Sequence, residues 1–374
     1  MRSLLLLSRR LSKLSSPRNP HFVLSGVRFL SETPLCHIVG AEPCGSTSRD
    51  GEIGRLVITA CRESFWQTRT VNKKVPMSLM AETATIGASH GWVATLKDGV
   101  VCLQDDLIPS ASDSDPKRIS LPPLQTLPHC QTQLVTNVAM SSASPDKDED
   151  CILAVKFLGP QLSLCRPALG DKAEWVNIRV EDPGFFSSRV MYSKRDRMFS
   201  MPGSGGKITG SWDLEKHRDK PKLVTWQVPI LHEYVQSEWE VLDTCSTTEQ
   251  LVESRPTGEM FMVKRFRERN NFEGGRMEDR QMMVFKLVEY ECLGKAFPSP
   301  TTDIGDLCIF LSKSEPFCLK ASSYGHLRPN SVYYIDDNEM GIFDIERKLN
   351  PSGISPYPAP YYIPPQSYLD AYGK

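Results

Sequence analysis

Short apolar segments that recur in pairs along the chain constrain its fold most strongly. In each pair a strand-like segment is followed, after a turn, by a second strand-like segment. The centre of this second segment has two apolar residues separated by one residue of any type. The second segments are GVVCL (99–103), PQLSL (160–164), GSWDL (210–214), MVFKL (283–287) and GIFDI (341–345). They lie roughly 50 to 75 residues apart. Strand pairs repeated in this way predict an all-β fold, a kelch-like β-propeller of about five to seven short antiparallel blades. A large β-sandwich is the alternative.

The first segments of these pairs support the same fold. They are GWVATL, CILAVKF, RVMYS with RMFSM, EMFMVKRF and SVYYIDD. Val332 and Tyr334 alternate with Tyr333 and Ile335, as in a strand buried on at least one face. No apolar run approaches the ~20 residues that a membrane-spanning helix needs, so we expect no membrane span.

The N-terminus has the composition of an organellar targeting peptide. Residues 1–30 contain six serines, no acid and six cations: Arg2, Arg9, Arg10, Lys13, Arg18 and Arg28. Basic, serine-rich and acid-poor composition is typical of transit peptides. On a helix the early cations fall opposite Leu4, Leu7, Leu11 and Leu14. The early arginines favour the mitochondrion, with a plastid or dual targeting as the alternative. Removal is expected near Phe29 or Leu30, and the leader itself is expected to be disordered or helical.

The remaining chain divides by composition. Residues 31–60 are polar and irregular and are predicted to be a linker, 61–347 the propeller, and 348–374 a proline-rich C-terminal tail that is prone to polyproline II structure. The tail is expected to be a strap, a loose end or a partner-binding segment. Removing the six leader cations changes the formal net charge from −1 to −1 − 6 = −7. Such an acidic surface disfavours general nucleic-acid binding.

One segment is basic although the chain without its leader has a negative net charge. VKRFRERNNFEGGRMEDRQ, 263–281, holds six cations and four acids, a net of only +2. We predict that it is a solvated hairpin loop. An RNA-binding loop is the alternative, and neutralising Arg265, Arg267 and Arg269 would test it. The six cations are Lys264, Arg265, Arg267, Arg269, Arg276 and Arg280.

Cysteine and histidine spacing gives no metal or disulfide pattern. The eleven cysteines include no CxxC pair, and the histidines form no HExxH motif. Several thiols lie within or beside apolar runs, where they are expected to pack as small hydrophobes. These are Cys102, Cys151, Cys165, Cys292, Cys308 and Cys318. The histidines are His21, His37, His90, His129, His217, His232 and His326.

Two motifs resemble ligand-binding loops and fail on spacing. In MPGSGGKITGSWDLEKH, 201–217, a P-loop would need Gly at Met201 and Ser or Thr at Ile208. The glycines are instead predicted to supply positive φ in a hairpin connection. In DDNEMG, 336–341, a calcium loop would need Glu at Arg347. This segment is predicted to be the turn of a hairpin. With no GxSxG elbow, we identify no catalytic, cofactor-binding or metal-binding residues.

Three blocks in order resemble a known family. They are GWVATLKDGVVCLQDDL, RISLPPLQTLP and FLSKSEPFCLKASSYGHLRPNSVYYIDDNEMGIFDIE. They resemble the plant domain of unknown function 295, described as F-box-associated with a kelch-like propeller, over about residues 61–347. The leader in place of an F-box resembles the organellar branch of that family. The resemblance implies no catalytic residues.

The functional expectation is a non-enzymatic mitochondrial β-propeller that acts as a protein-interaction scaffold. Loops on a rigid propeller would contact the partner. The alternatives are an F-box-like substrate adaptor for ubiquitin ligation, and an organellar propeller that binds RNA or a small molecule.

Overall fold

β-Strands dominate the computed structural model. It describes residues 35–62, 65–81, 83–226, 242, 244–269, 277–290, 295–324, 327–336, 339–348, 352–354 and 361–365. Within them the strands form six sheets, and the few short 3-10 turns include Met77–Met80, Pro167–Lys172, Pro183–Phe185, Ser204–Gly206 and Ala321–Ser323. The predicted leader, residues 1–30, lies outside the described residues.

Sheet one joins the two ends of the described chain. Its strands are β1 (Cys36–Thr47), β2 (Gly51–Arg62), β3 (Phe65–Pro76) and β25 (Tyr362–Ile363). They lie in the order β25-β1-β2-β3, and all pairs are antiparallel. The C-terminal strand pairs Tyr362 with His37 and Ile363 with Cys36.

Sheets two to five repeat one plan, in which four consecutive strands pair antiparallel in chain order. Sheet two contains β4 (Thr85–Ser89), β5 (Trp92–Lys97), β6 (Val100–Gln104) and β7 (Arg118–Pro123). Sheet three contains β8 (Val135–Met140), β9 (Leu153–Phe157), β10 (Gln161–Cys165) and β11 (Val176–Arg179). Sheet four contains β12 (Met191–Ser193), β13 (Met198–Pro202), β14 (Ile208–Trp212) and β15 (Lys222–Thr225). Sheet five contains β16 (Ser246–Glu253), β17 (Met260–Arg269), β18 (Met277–Tyr290) and β19 (Lys295–Pro300).

Sheet six departs from the plan. Its strands are β20 (Leu307–Leu311), β21 (Phe317–Lys320), β22 (Ser331–Asp336), β23 (Glu339–Asp344) and β24 (Ser352–Ile354). They lie in the order β21-β20-β22-β23-β24, and β20 pairs in parallel with β22. A parallel pair needs a crossover between its strands, and here residues 312–330, which include β21, provide it.

The hydrophobic core shows that the sheets form a closed ring. Six clusters of buried side chains each lie between two consecutive sheets. The cluster that closes the ring packs Leu35 and Tyr362 of sheet one against Phe310 and Tyr333 of sheet six. Tyr362 meets Phe310 edge-to-face at 5.3 Å between ring centroids. The molecule is therefore a six-bladed β-propeller, as the sequence predicted for the fold class.

All five predicted strand pairs are present as antiparallel hairpins. The glycine-rich segment connects β13 to β14, and Gly205 and Gly206 have φ of 81° and 73°. This confirms the hairpin prediction for 201–217. The segment 336–341 likewise joins β22 to β23, with Asp336 opposite Glu339.

The predicted domain boundaries were wrong at both ends. Residues 36–60, predicted to be a linker, form β1 and most of β2. The polar stretch GSTSRDGEIGR is the turn of this hairpin and its flanks, where Gly51 takes a φ of 66°. Beyond residue 347, β24 and β25 belong to sheets six and one. A ring needs these segments because its first sheet takes strands from both ends of the described chain.

Candidate functional site

The inner edges of the six sheets surround a central axis. These edges are the strands β25, β4, β8, β12, β16 and β21, and β4 contacts β8, β8 contacts β12 and β12 contacts β16. Residues at or just after the ends of β25, β4, β8, β12 and β16, together with the start of β21, line one cavity of about 1260 Å³. We call this cavity the funnel. Five inner strands thus run in the same direction and end at the same face of the propeller.

The segment 312–316 of sheet six forms the floor of the funnel. Between β20 and β21 this segment leaves its own sheet and forms a parallel bridge from Ser314 to Ala88 of β4. The Ser314 hydroxyl donates to the carbonyl of Tyr362 over 3.2 Å, and the Ser312 hydroxyl accepts from the Tyr362 amide over 3.2 Å. The segment therefore crosses the axis and is held by the inner strands of other sheets.

Glu315 anchors this floor. Its Oε1 accepts the amide N–H of Tyr192 in β12 over 2.8 Å, and its Oε2 accepts the hydroxyl of Ser89 in β4. The amide of Met140 in β8 lies 3.5 Å from Oε2. Burial raises the pKa of Glu315, and the hydrogen bond from Ser89 opposes that rise. The two carboxylate oxygens are satisfied by the protein itself, so Glu315 fixes the floor to three neighbouring inner strands.

Arg255 and His90 face each other across the mouth of the funnel. Arg255 follows β16 in sheet five, and His90 follows β4 in sheet two, three blades away. The Arg255 Nη2 lies 3.2 Å from Nε2 and 3.3 Å from Nδ1 of His90. Burial, then the charge of Arg255, lowers the pKa of His90 to about 3, and Lys194 contributes in the same direction. His90 is therefore neutral at physiological pH, and Arg255 stands in an exposed position.

The rest of the funnel wall is mixed in character. Ser141, Ser142 and Ser144 line one side, and their surroundings carry both charged and apolar groups. The charged groups are Lys147, Asp148, Glu149, Lys194 and Glu253, and the aromatic and proline residues are Tyr192, Pro256, Pro316, Phe317, Tyr324, Pro364 and Pro365. Such a surface suits a polar, extended ligand with an apolar side chain more than a fully apolar one.

The basic stretch at 263–281 does not form a solvated loop where the structure describes it. Residues 264–269 lie in β17, and Arg265 and Arg267 are only 2% and 8% exposed. Arg265 Nη2 donates to Asp279 over 2.8 Å, and Nη1 donates to Asp336 of sheet six over 2.7 Å. The predicted hairpin is confirmed by the pairing of β17 with β18. The predicted solvation was wrong for Arg265 and Arg267, because Asp336, which completes this network, comes from another blade. Arg276 lies outside the described residues.

The predicted buried thiols behave as small hydrophobes. Cys151, Cys165, Cys308 and Cys318 are buried in core clusters, while Cys102 is half-buried and Cys292 lies outside the described residues. Burial raises the pKa of the Cys165 and Cys308 thiols to about 12, so both remain protonated at physiological pH. Within the described parts of the chain, no group of three or more His, Cys, Asp or Glu side chains is placed to hold a metal ion. Nor does any described helix have the length and apolar character to span a membrane.

Sequence reasoning did not find the funnel residues. Glu315, Arg255 and Lys194 stand in segments without a local motif. His90 is one of seven widely spaced histidines, and no local motif distinguishes it from the others. The signal that could have found the others is positional: Lys194 and Arg255 follow the inner-edge strands β12 and β16, and Glu315 precedes the inner-edge strand β21.

The fold and its one-sided funnel define a six-bladed β-propeller with a candidate ligand-binding face. The model of the KIB1-4 beta-propeller family matches residues 63–344, and the chain belongs to that family. Two solved structures are similar to it at low identity. The WD40 domain of coronin from Toxoplasma gondii is 13% identical, with a TM-score of 0.30 over 69% of this chain and 67% of that chain. MPT-4, a mannose phosphorylase from Leishmania mexicana in complex with phosphate ion, is 10% identical, with a TM-score of 0.21 over 73% of this chain and 85% of that chain. No curated protein matches the chain.

Proposed function

We propose that this protein is a non-enzymatic mitochondrial β-propeller that binds a protein partner through the funnel. The observation that carries the proposal is the funnel itself, about 1260 Å³ in volume and lined by segments from all six sheets. Binding residues are often found on loops that a rigid scaffold holds in place. Here the floor is fixed by the contacts of Glu315, so a ligand would meet a preformed surface.

The composition of the wall favours an extended peptide as the bound part of the partner. Aromatic and proline side chains line the funnel together with charged groups and serine hydroxyls. Peptide-binding grooves combine aromatic surface with placed polar groups in this way. The RNA alternative is less favoured, because Arg265 and Arg267 are buried and paired with carboxylates.

The mitochondrial address rests on the leader. Six cations and no acid in residues 1–30 fit import into an organelle, and a plastid remains the alternative. The resemblance to the plant domain of unknown function 295 and to its organellar branch is a prediction that supports the same address. An F-box-like adaptor would instead act outside organelles with a Skp1-type partner.

Proximity labelling in plant cells tests address and binding together. Three fusions would be compared: the full chain, a chain that starts at Ser31, and the full chain with Ala143→Trp. Ala143 lines the funnel and is half-buried, so a neutral indole there would occupy part of the cavity without changing its charge. Leu223→Trp is the matched control, since Leu223 is 53% exposed on β15, at the outer edge of sheet four.

We expect the full chain and Leu223→Trp to label the same mitochondrial neighbours. The Ser31 form should lose mitochondrial labelling, and Ala143→Trp should keep the address but lose a specific set of neighbours. Unchanged import of the Ser31 form would contradict the address. An identical neighbour set for Ala143→Trp would contradict the funnel as the binding face, and recovery of a Skp1-type protein would favour the adaptor.

A further inference from the structure

We propose that the funnel recognises an anionic side chain of the bound peptide, a carboxylate or a phosphorylated residue, between Arg255 and Lys194. This inference rests on the proposed function, because it names the chemistry of the segment that would enter the funnel. It assigns the main recognition role to Arg255 and a supporting role to Lys194.

Arg255 and Lys194 are two exposed cations without a carboxylate partner. Among the described residues, neither forms an ion pair within 4.0 Å, and the guanidinium of Arg255 contacts the ring of His90. Both charges act on the same imidazole, since both lower the pKa of His90. A positive charge that faces a neutral ring at the mouth of a cavity is available to an incoming anion.

Three of the four acidic groups of the funnel accept hydrogen bonds from the protein, although Oε2 of Glu253 is buried without a hydrogen-bond partner among the described residues. Glu315 accepts from Ser89 and Tyr192, Glu253 Oε1 accepts the Arg195 amide over 3.2 Å, and Asp148 Oδ1 accepts the Asp150 amide over 3.0 Å. Glu149 is exposed on the segment after β8. None of these four carboxylates lies within 4.0 Å of the Arg255 guanidinium or the Lys194 ammonium in the described structure. Burial raises the pKa of the Glu315 carboxylate and the charge of Arg255 opposes that rise from a longer distance, but neither cation has a direct ion pair with a described residue.

The geometry of arginine makes an oxyanion the fitting ligand. A guanidinium offers a planar set of donors that matches carboxylate or phosphate oxygens in a bidentate pair, and such charge-assisted bonds are stronger than neutral ones. The serine hydroxyls of Ser141 and Ser142 line the same cavity and can donate further hydrogen bonds. Phe317 and Pro316 supply apolar surface beside them. The expected motif is therefore an acidic residue next to an apolar one.

A peptide selection tests this chemistry even while the partner is unidentified. Phage-displayed random twelve-residue peptides would be selected on the full protein, with the Ala143→Trp variant used to remove peptides that bind elsewhere. A selected peptide, synthesised with a fluorescein label, would then be measured by anisotropy against five proteins. These are wild type, Arg255→Gln, Arg255→Lys, Lys194→Gln and the control Lys172→Gln, whose side chain is exposed outside the funnel.

We expect the selected peptides to share an Asp or Glu. Arg255→Gln should weaken binding at least about 30-fold, the range of an interface hot spot, with Arg255→Lys closer to wild type and Lys172→Gln unchanged. Lys194→Gln should weaken binding about 3- to 10-fold. Replacing the acid of the peptide by Gln should weaken wild type but not Arg255→Gln, which isolates the contact between the two groups.

The other outcomes separate the two proposals. Peptides that depend on the funnel but lack a shared acid, or that bind Arg255→Gln as well as wild type, would overturn the anion site and leave the proposed function standing. If the removal step on Ala143→Trp leaves no peptide that binds wild type, both proposals fail. A peptide with phosphoserine in place of the acid distinguishes the source: tighter binding identifies a phosphorylated partner, and weaker binding a carboxylate.

Discussion

Replacing Arg265 with methionine is expected to lower the free energy of unfolding by about 3 to 5 kcal/mol. The guanidinium is almost fully buried, bonds Asp279 of sheet five and Asp336 of sheet six, and lies 4.8 Å over the ring of Tyr334. Methionine fills a similar volume but leaves two carboxylates without their main partner. The Asp279 side chain is only 5% exposed and that of Asp336 is 29% exposed, so water can replace the lost bonds at Asp336 but not at Asp279. Urea denaturation followed by tryptophan fluorescence measures the effect.

Two further variants separate this mechanism from a general loss of charge. Arg280→Ala removes an arginine whose ion pair with Glu268 is 56% and 42% exposed, and it should cost under about 1 kcal/mol. Arg265→Met combined with Asp336→Asn removes one buried cation and one carboxylate, leaves Arg267 paired with Asp279, and should recover part of the lost stability. Equal losses for Arg265→Met and Arg280→Ala would contradict the assignment of this network as an inter-blade link.

Replacing Tyr361 and Ile363 together with alanine is expected to cost about 5 to 10 kcal/mol, the combined loss for two large buried side chains. Both are fully buried, and the Tyr361 hydroxyl donates to Thr85 of sheet two. The backbone between them pairs β25 with β1, and the Ile38 amide donates to the Tyr361 carbonyl over 3.0 Å. This loss is comparable with the total stability of an ordinary domain, about 5 to 15 kcal/mol, so most of the double variant should unfold. Limited proteolysis at room temperature should then cut it throughout the chain.

The control for this prediction is Leu223→Ala on β15. Leu223 is 53% exposed, and its truncation should change the free energy of unfolding by no more than about 0.5 kcal/mol. If the double variant resists protease as well as Leu223→Ala does, the side chains of Tyr361 and Ile363 do not hold β25 in sheet one.

Local pattern was sufficient to predict the hairpins of five blades. In β5 and β6, for example, two apolar segments flank Asp98-Gly99, and both residues have positive φ in the turn. An Asp-Gly pair is also present at Asp50-Gly51. The segment around it was predicted to be a linker, because the surrounding residues are polar. Apolar residues also alternate along β2 in the sequence: Leu56, Ile58 and Ala60 are buried, while Arg55 is exposed.

The site could not be predicted in the same way, because it depends on contacts between blades. Nothing near Glu315 in the sequence indicates that its carboxylate meets Ser89 and Tyr192, which are far away along the chain. The parallel pairing of β20 with β22 creates this contact by leaving residues 312–316 outside the sheet. The burial of Arg265 has the same origin, since Asp336 reaches it from the next blade. Charge alone therefore predicted a solvated loop.

The crossing of the axis by residues 312–316 makes the two faces of the disc unequal. A molecule that enters from the funnel side meets a floor built of backbone and a carboxylate, so it has to leave by the way it came. The funnel is consequently a cavity that is open at one end and not a channel through the disc. Residues 312–316 therefore separate a molecule in the funnel from the side chains on the opposite face of the disc.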